Sequence, residues 1–297
     1  DNRAQPVEDG ALVAGLNGEI YNYPALARQY GLDPEALASD ALVLPALWRS
    51  EGSPRRLDGM FAGFVFDEDQ RRLVLFRDHL GIKPLFTARV GSALVFGSTL
   101  CAVAAAAGRD QVDVGALEHY LRRGYPAADP PLVAGVDSVR AGTTVTYDAP
   151  DGTPRVHQWF DVRDAGRSPS RTFDLATFTE SVLEEVPERM PITVALSGGV
   201  DSTSLALILM AAGKEPLTLS VQYDAEDDRT RQDEAVVSRL VADFGVSHTE
   251  VHISRRDALS EVEGPWRFDV PIADPNAIPL SRLARTTRDF GSRVLMT

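Results

Sequence analysis

The sequence predicts an α+β domain followed by an α/β domain: an antiparallel, β-rich first half, then a doubly wound parallel sheet. Three observations carry this reading. Between Met60 and Asp148, apolar runs of strand length are separated by short polar turns, the pattern of hairpins. Beyond residue 172, strand and helix patterns alternate, the order of a parallel sheet covered by helices. Between the two, VRDAGRSPSR trades apolar periodicity for Gly, Ser, Pro and charge, as linkers do. The boundaries are therefore 1–160, a linker at 161–172, and 173–297.

Taken in order, Ala11 to Tyr23 starts as a strand and is expected to break at Asn17-Gly18, a strong turn dipeptide. Pro24 to Tyr30 and Pro34 to Glu51 have helical apolar spacing, with Asp33 as candidate N-cap of the second. Met60 to Asp78 reads as a hairpin around Asp67 to Gln70. Lys83 to Val90 and Ala93 to Ser98 are strands joined at Gly91-Ser92. Helices are expected at Leu100 to Ala107 and Val114 to Arg123, and a last hairpin around Pro150-Asp151-Gly152. In the second half, Phe173 to Met190 reads as a helix. The β-branched run Ile192 to Leu196 reads as a buried strand, and the dense apolar stretch after Asp201 as a helix ended by Gly213. Leu217 to Tyr223, His248 to Ile253 and Arg293 to Met296 are strands; Gln232 to Phe244 and Ile278 to Asp289 are helices.

Composition excludes several functions. The chain has 297 residues, 44% of them hydrophobic and 25% charged, the profile of an ordinary folded protein. A net charge of -13 argues against nucleic acid as a partner, because phosphate backbones are bound through clustered Lys and Arg. A single cysteine, Cys101, forms no internal disulfide and fits a reducing compartment. No apolar run reaches the ~20 residues of a membrane span, and DNRAQPVEDG is too acidic for a signal peptide. A cytoplasmic protein without a membrane partner is expected. The chain reads as a piece of something longer at both ends.

The chemistry concentrates in Ser197-Gly198-Gly199-Val200-Asp201-Ser202, between the buried strand and its helix. Glycines let the backbone approach a ligand closely, and the helix start presents unpaired N–H groups, a setting for phosphate. The stretch is neither G-x-x-x-x-G-K-[ST] nor G-x-G-x-x-G, and it has no lysine. Its two hydroxyls and backbone amides suit a pyrophosphate, and Asp201 suits Mg²⁺, which takes one or two carboxylates together with phosphate oxygens. A tight turn with Asp201 merely capping the helix is the bland alternative.

SGGVDS resembles the pyrophosphate loop of the ATP pyrophosphatases, and the chain as a whole is similar to the glutamine-dependent asparagine synthetase family. The matching stretches are LNGEIYNYPAL, SDALVLPAL, LDGMFAGFVFD, RDHLGIKPLF, FGSTLCAV, SGGVDS and DVPIADPNAIPLSRLAR. The resemblance implies a glutaminase-like N-terminal-nucleophile (αββα) domain and an ATP-pyrophosphatase synthetase domain. It implies ATP and Mg²⁺ as cofactors, and glutamine, ATP and a carboxylate such as aspartate as substrates, with a homodimer as one assembly. Carried onto this sequence, Asn17, Gly18 and Glu19 hold glutamine, Asn17 and Gly18 form the oxyanion hole, and Asp40 takes the glutamine amine. Ser197, Gly198, Gly199, Asp201 (the Mg²⁺ ligand) and Ser202 go to pyrophosphate and metal, and Leu196 and Val221 meet the adenine.

Departures limit the transfer. The family's N-terminal nucleophilic cysteine is absent from a chain that begins at Asp1, where Gln5 to Val7 match a segment well inside the glutaminase domain, so this fragment alone is expected to be inactive. Cys101 has a peptide N–H rather than an α-amine base and is expected to be a small buried helix residue. ERMPITVALSGG is compressed before the loop. The alternative function is a relative that closes an adenylated carboxylate on an internal amine, as β-lactam synthetases and lasso-peptide cyclases do; the intact glutamine pocket favours the amidotransferase. A non-catalytic nucleotide- or partner-binding fragment is a third reading. His248 and His252 alternate along a strand, a weak zinc pattern. Asp224, Glu226, Asp227 and Asp228 form an acidic cluster that reads first as a solvated loop, with help to the Mg²⁺ site as the alternative because the cluster leaves the sheet at its ligand-binding end. Asp269 and Asn276 carry no assigned role.

Overall fold

The computed structural model describes residues 5–126, 129–148, 153–165, 174–186, 190–224, 228–263, 269–271 and 274–297, with backbone alone at 165, 228–234, 262 and 263. The chain divides into two units, Asp1–Arg171 with Asp269–Pro271, and Thr172–Phe268 with Ile272–Thr297.

The first unit contains β1 (Val7–Asp9), β2 (Leu12–Ile20), α1 (Tyr23–Gln29), a 3-10 turn at Asp40–Val43, α2 (Leu44–Glu51), β3 (Gly59–Asp67), β4 (Arg72–Arg77), β5 (Phe86–Val90), β6 (Ala93–Gly97), α3 (Leu100–Ala106), α4 (Val114–Arg123), β7 (Asp137–Ser138), β8 (Thr143–Asp148), β9 (Arg155–Gln158) and α5 (Val162–Ala165). Six strands form one antiparallel sheet in the order β1-β2-β3-β4-β8-β9, and β6-β5-β7 form a second. Side-chain alternation sorts the layers. Phe61 and Val65 of β3 join Leu26, Leu44 and Leu47 of the α1 and α2 region in one core. Ala62 and Phe64, on the other face, join Leu85, Phe96 and Val145. The rings of Phe64 and Phe96 meet edge to face at 5.3 Å, sealing sheet to sheet. Ala88 of β5 packs with Leu100, Val103 and Ala116 of α3 and α4. The unit is thus helix, sheet, sheet, helix.

The second unit contains α6 (Leu175–Glu184), β10 (Ile192–Ala195), α7 (Val200–Ala211), β11 (Leu217–Tyr223), α8 (Asp228–Phe244), β12 (His248–Ile253), α9 (Arg255–Glu263), α10 (Ala277–Asp289) and β13 (Val294–Met296). Its four strands are parallel, in the order β12-β11-β10-β13. Ile192, Val194 and Leu196 pack against Ala206, Leu209 and Val237 of α7 and α8.

Three local expectations are overturned. Asn17-Gly18 is not a break: β2 runs through it, with Asn17 opposite Ala62 and Gly18 opposite Phe61. Gly18 has φ +130°, and a Cβ there would collide with the Met60 carbonyl oxygen, so the glycine serves a close backbone approach rather than a turn. The helix expected from Pro34 is confined to Leu44–Glu51 behind the 3-10 turn, and Asp33 caps no helix; its carboxylate accepts the Glu35 N–H at 3.0 Å. Pro45 explains this, since proline is tolerated in a helix's first turn and breaks its interior. Helix α9 was not foreseen. The turn at 150–152 lies outside the described residues.

Candidate functional site

Between β10 and α7 the loop is organised by its own hydroxyls. Ser202 Oγ accepts the Ser197 N–H at 3.2 Å and lies 3.1 Å from Ser197 Oγ, which in turn accepts the Gly199 N–H at 3.3 Å. Gly198 takes φ +80°, which glycine adopts without strain, and Gly199 is the residue before the helix. Ser202 is buried, whereas Ser197, Gly199 and Asp201 are exposed. Asp201 sits in the first turn of α7, where a carboxylate faces the positive end of the helix dipole. One carboxylate and two hydroxyls at a helix start form a donor set that fits Mg²⁺ shared with a phosphate.

Beside this loop, at the carboxyl ends of the parallel strands, is a cavity of about 380 Å³. Leu196, Ser197 and Val221 line it, together with Ser220, Glu250 and Asn276. The size falls in the range of small-ligand sites, and strand carboxyl ends are where such sheets bind ligands. Leu196 is tied to the neighbouring strand by its N–H to Leu219 O, 2.7 Å. Asn276, without a role from sequence, is therefore a wall residue.

His248 and His252 do not make a metal site. The ring of His248 lies between Thr218 Oγ1, 2.9 Å from Nδ1, and Ser220 Oγ, 3.1 Å from Nε2. Both nitrogens are engaged by hydroxyls, and burial pushes the imidazole below its ordinary pKa. His252 is exposed. Of the acidic cluster, Glu226, Asp227 and the Asp228 side chain lie outside the described residues; Asp224 is exposed.

In the first unit, Asn17, Gly18 and Glu19 follow one another along β2, with Asn17 and Glu19 exposed. Asp40 is brought to the end of this strand: its Oδ2 accepts the Ile20 N–H at 2.7 Å, and its Oδ1 accepts from Ala41 N–H at 3.0 Å and Ser39 Oγ at 3.1 Å. Ser39 Oγ itself accepts the Ala41 N–H, capping the 3-10 turn that carries Asp40. The four glutamine-pocket candidates thus belong to the second half of one strand and the turn locked to its end.

Sequence reasoning gave Arg77 and Asp78 no role. The Asp78 carboxylate, 1% exposed, accepts backbone N–H groups from Phe61 (3.2 Å), Leu80 (3.0 Å), Ile82 (2.9 Å) and Lys83 (3.0 Å). The Arg77 guanidinium donates to the carbonyls of Gly81 (2.7 Å), Lys83 (2.6 Å) and Val139 (2.7 Å). Together they hold the loop that follows β4. Asp269 belongs to the same unit; its Oδ2 accepts the Leu100 N–H at 2.8 Å at the start of α3. Cys101 is exposed rather than buried, because its side of α3 is left uncovered by the Ala88 core; partial desolvation of its sulfur and the neighbouring Asp269 still push the thiol up, away from nucleophilic character.

Comparison with known proteins agrees in both units. The glutamine amidotransferase domain family matches residues 1–160, and the asparagine synthase family matches residues 175–297. The chain is similar to asparagine synthetase (glutamine-hydrolyzing) 1 of Bacillus subtilis, with 28% identity over 97% of this chain and 47% of that protein. It is 27% identical to asparagine synthetase (glutamine-hydrolyzing) 3 of the same organism, over 83% of this chain and 44% of that one. A carboxyethyl-arginine beta-lactam-synthase of Streptomyces clavuligerus is 30% identical over 98% of this chain and 55% of its own length. The chain spans about half the length of these relatives.

Proposed function

Since the chain belongs to the asparagine synthetase family of glutamine amidotransferases, we propose that the protein activates a carboxylate with ATP and amidates it with ammonia released from glutamine. The observation that supports this most directly is the cavity shared by Leu196, Ser197 and Val221 beside the SGGVDS loop. In this reading the base lies against Leu196 and Val221, and the triphosphate reaches the loop. The N–H groups of the loop and the hydroxyls of Ser197 and Ser202 hold the two departing phosphates, so that pyrophosphate leaves from a fixed position. Asp201 is the residue that would hold Mg²⁺, which when bound supplies positive charge against the phosphates. The acceptor carboxylate, aspartate in this reading, attacks the α-phosphorus in line with the leaving pyrophosphate, giving an acyl-adenylate.

At the other site Asp40 pairs with the ammonium of glutamine through the lone pairs its three internal donors leave open. Asn17 and the Gly18 N–H receive the oxyanion as the side-chain amide is attacked. Glu19 borders the same pocket. A cytoplasmic setting and a homodimer complete the reading; among the described residues no helix is long and apolar enough to cross a membrane.

The test is pyrophosphate release by the full-length protein. Asp201→Ala is expected to abolish carboxylate-dependent release from ATP while the fold, followed by circular dichroism, is kept; retained release removes Asp201 from the reaction. The likeness to the beta-lactam-synthase favours a second reading, closure of an activated carboxylate on an internal amine. Formation of glutamate from glutamine in step with pyrophosphate release decides for the amidotransferase, and its absence for ring closure.

A further inference from the structure

Strands β11 and β12 place Thr218 beside His248 and Ser220 beside Glu250. The hydrogen bonds of this group have a fixed direction. Thr218 Oγ1 lies 3.0 Å from the Ser247 carbonyl oxygen, which only accepts, so the single hydroxyl hydrogen of Thr218 points there. Toward His248 Nδ1, 2.9 Å away, the same oxygen must then accept, and Nδ1 carries the ring's hydrogen. Burial keeps the imidazole neutral, so Nε2 is bare and takes the hydrogen of Ser220 across 3.1 Å. Ser220 has no second hydrogen. Toward the cavity it lines, its oxygen offers lone pairs only.

We propose that Ser220 is a base-selecting residue of the cavity, locked as a hydrogen-bond acceptor by His248 and Thr218, and that it accepts from the exocyclic 6-amino group of adenine. The inference rests on the reading of this cavity as the ATP site. The surrounding wall is consistent with a ligand edge that donates: Glu250 is another acceptor, Gln222 and Asn276 can turn either way, and among the described residues neither Lys nor Arg lines it. A 6-oxo purine would set lone pairs against lone pairs at Ser220, which costs more than a missing bond because the cavity wall leaves both poorly hydrated. His248 acts through Ser220 and is a positioning residue.

The experiment measures equilibrium binding of ATP, its 6-oxo analogue inosine triphosphate and 2′-deoxy-ATP to the full-length protein. The unsubstituted protein is expected to prefer ATP to the 6-oxo analogue, and Ser220→Ala to shrink that preference about tenfold. Ser220→Thr, which keeps the hydroxyl, should retain it. His248→Leu releases the Ser220 hydrogen to donate to a 6-oxo group, so the preference should fall below that of Ser220→Ala, an effect that loss of structure does not produce. An unchanged ATP to 6-oxo ratio in Ser220→Ala overturns the proposal even if His248→Leu does not fold. So does a change in the ATP to deoxy-ATP ratio alone, which would place the ribose at Ser220. Absence of binding of any of the three to the unsubstituted protein removes the ATP-site reading itself, whereas binding with unaltered ratios removes this inference and leaves that reading standing.

Discussion

Asp78 illustrates how much a single residue can organise. Its buried carboxylate takes four backbone N–H groups, three of them from the loop Leu80 to Lys83 that no regular ladder supplies. Removing the carboxylate strands these donors without water to replace it. Asp78→Ala is expected to cost about 3–5 kcal/mol, read as a lower urea midpoint at constant slope for the first unit. Asp78→Asn should recover little of it, because its amide nitrogen faces donors. The stretch RDHLGIKPLF was legible as a family signature, but the task of Asp78 was not. Its partners are backbone groups of the following loop, and nothing in residue type or spacing records where a backbone N–H points. Ser220 was hidden for a similar reason: one serine in an apolar strand carries no signal until the neighbouring strand brings His248 to it. The loop Ser197 to Ser202 was legible because its chemistry is local, with glycines, hydroxyls and carboxylate contiguous in the chain.

At the scale of elements, hydrophobic period located strands and helices where one period ran without interruption. Val114–Arg123, Leu217–Tyr223 and His248–Ile253 have the bounds that the pattern predicts. It failed where the backbone has a task of its own. The Pro34 to Glu51 pattern counted apolar spacing and ignored Pro45; α9 went unread although Ser254 and Asp257 form a reciprocal capping box, with Ser254 N–H to Asp257 at 3.0 Å and Asp257 N–H to Ser254 Oγ at 3.1 Å. Asn17-Gly18 carries the residue types of a turn and lies in mid-strand, because a dipeptide that tolerates positive φ suits either place. Strand β2 depends on that tolerance: Gly18→Ala combines a φ of +130° with a clash against backbone that cannot swing away. We expect a loss of at least ~2 kcal/mol in the first unit, together with loss of glutamine hydrolysis. Thermal unfolding of that unit checks the first, and glutamate formation the second; a substitution without effect on either would mean that the strand relaxes around the methyl.

For the whole molecule the decisive fact is that each unit closes its own core. Phe61, Phe76 and Leu47 are buried within the first, Leu196 and Leu209 within the second. A side chain at the surface of one core can therefore be removed without withdrawing support from the other. Asp40 is such a side chain: half-buried, it ties a 3-10 turn to the end of β2 and lies outside the second unit's sheet altogether. If the two sites perform the two half-reactions proposed above, Asp40→Ala in the full-length protein should lower glutamine-dependent amide formation at least about a hundredfold, the order expected when a desolvated ammonium loses its carboxylate partner. The same variant should keep pyrophosphate release and amide formation when an ammonium salt replaces glutamine, since Ser197, Asp201 and Ser202 are untouched. Rates with glutamine and with ammonium, measured side by side, check both statements. Equal loss with either nitrogen source would show that Asp40 supports the synthetase chemistry too, and the assignment of separate half-reactions to separate cores would have to be given up.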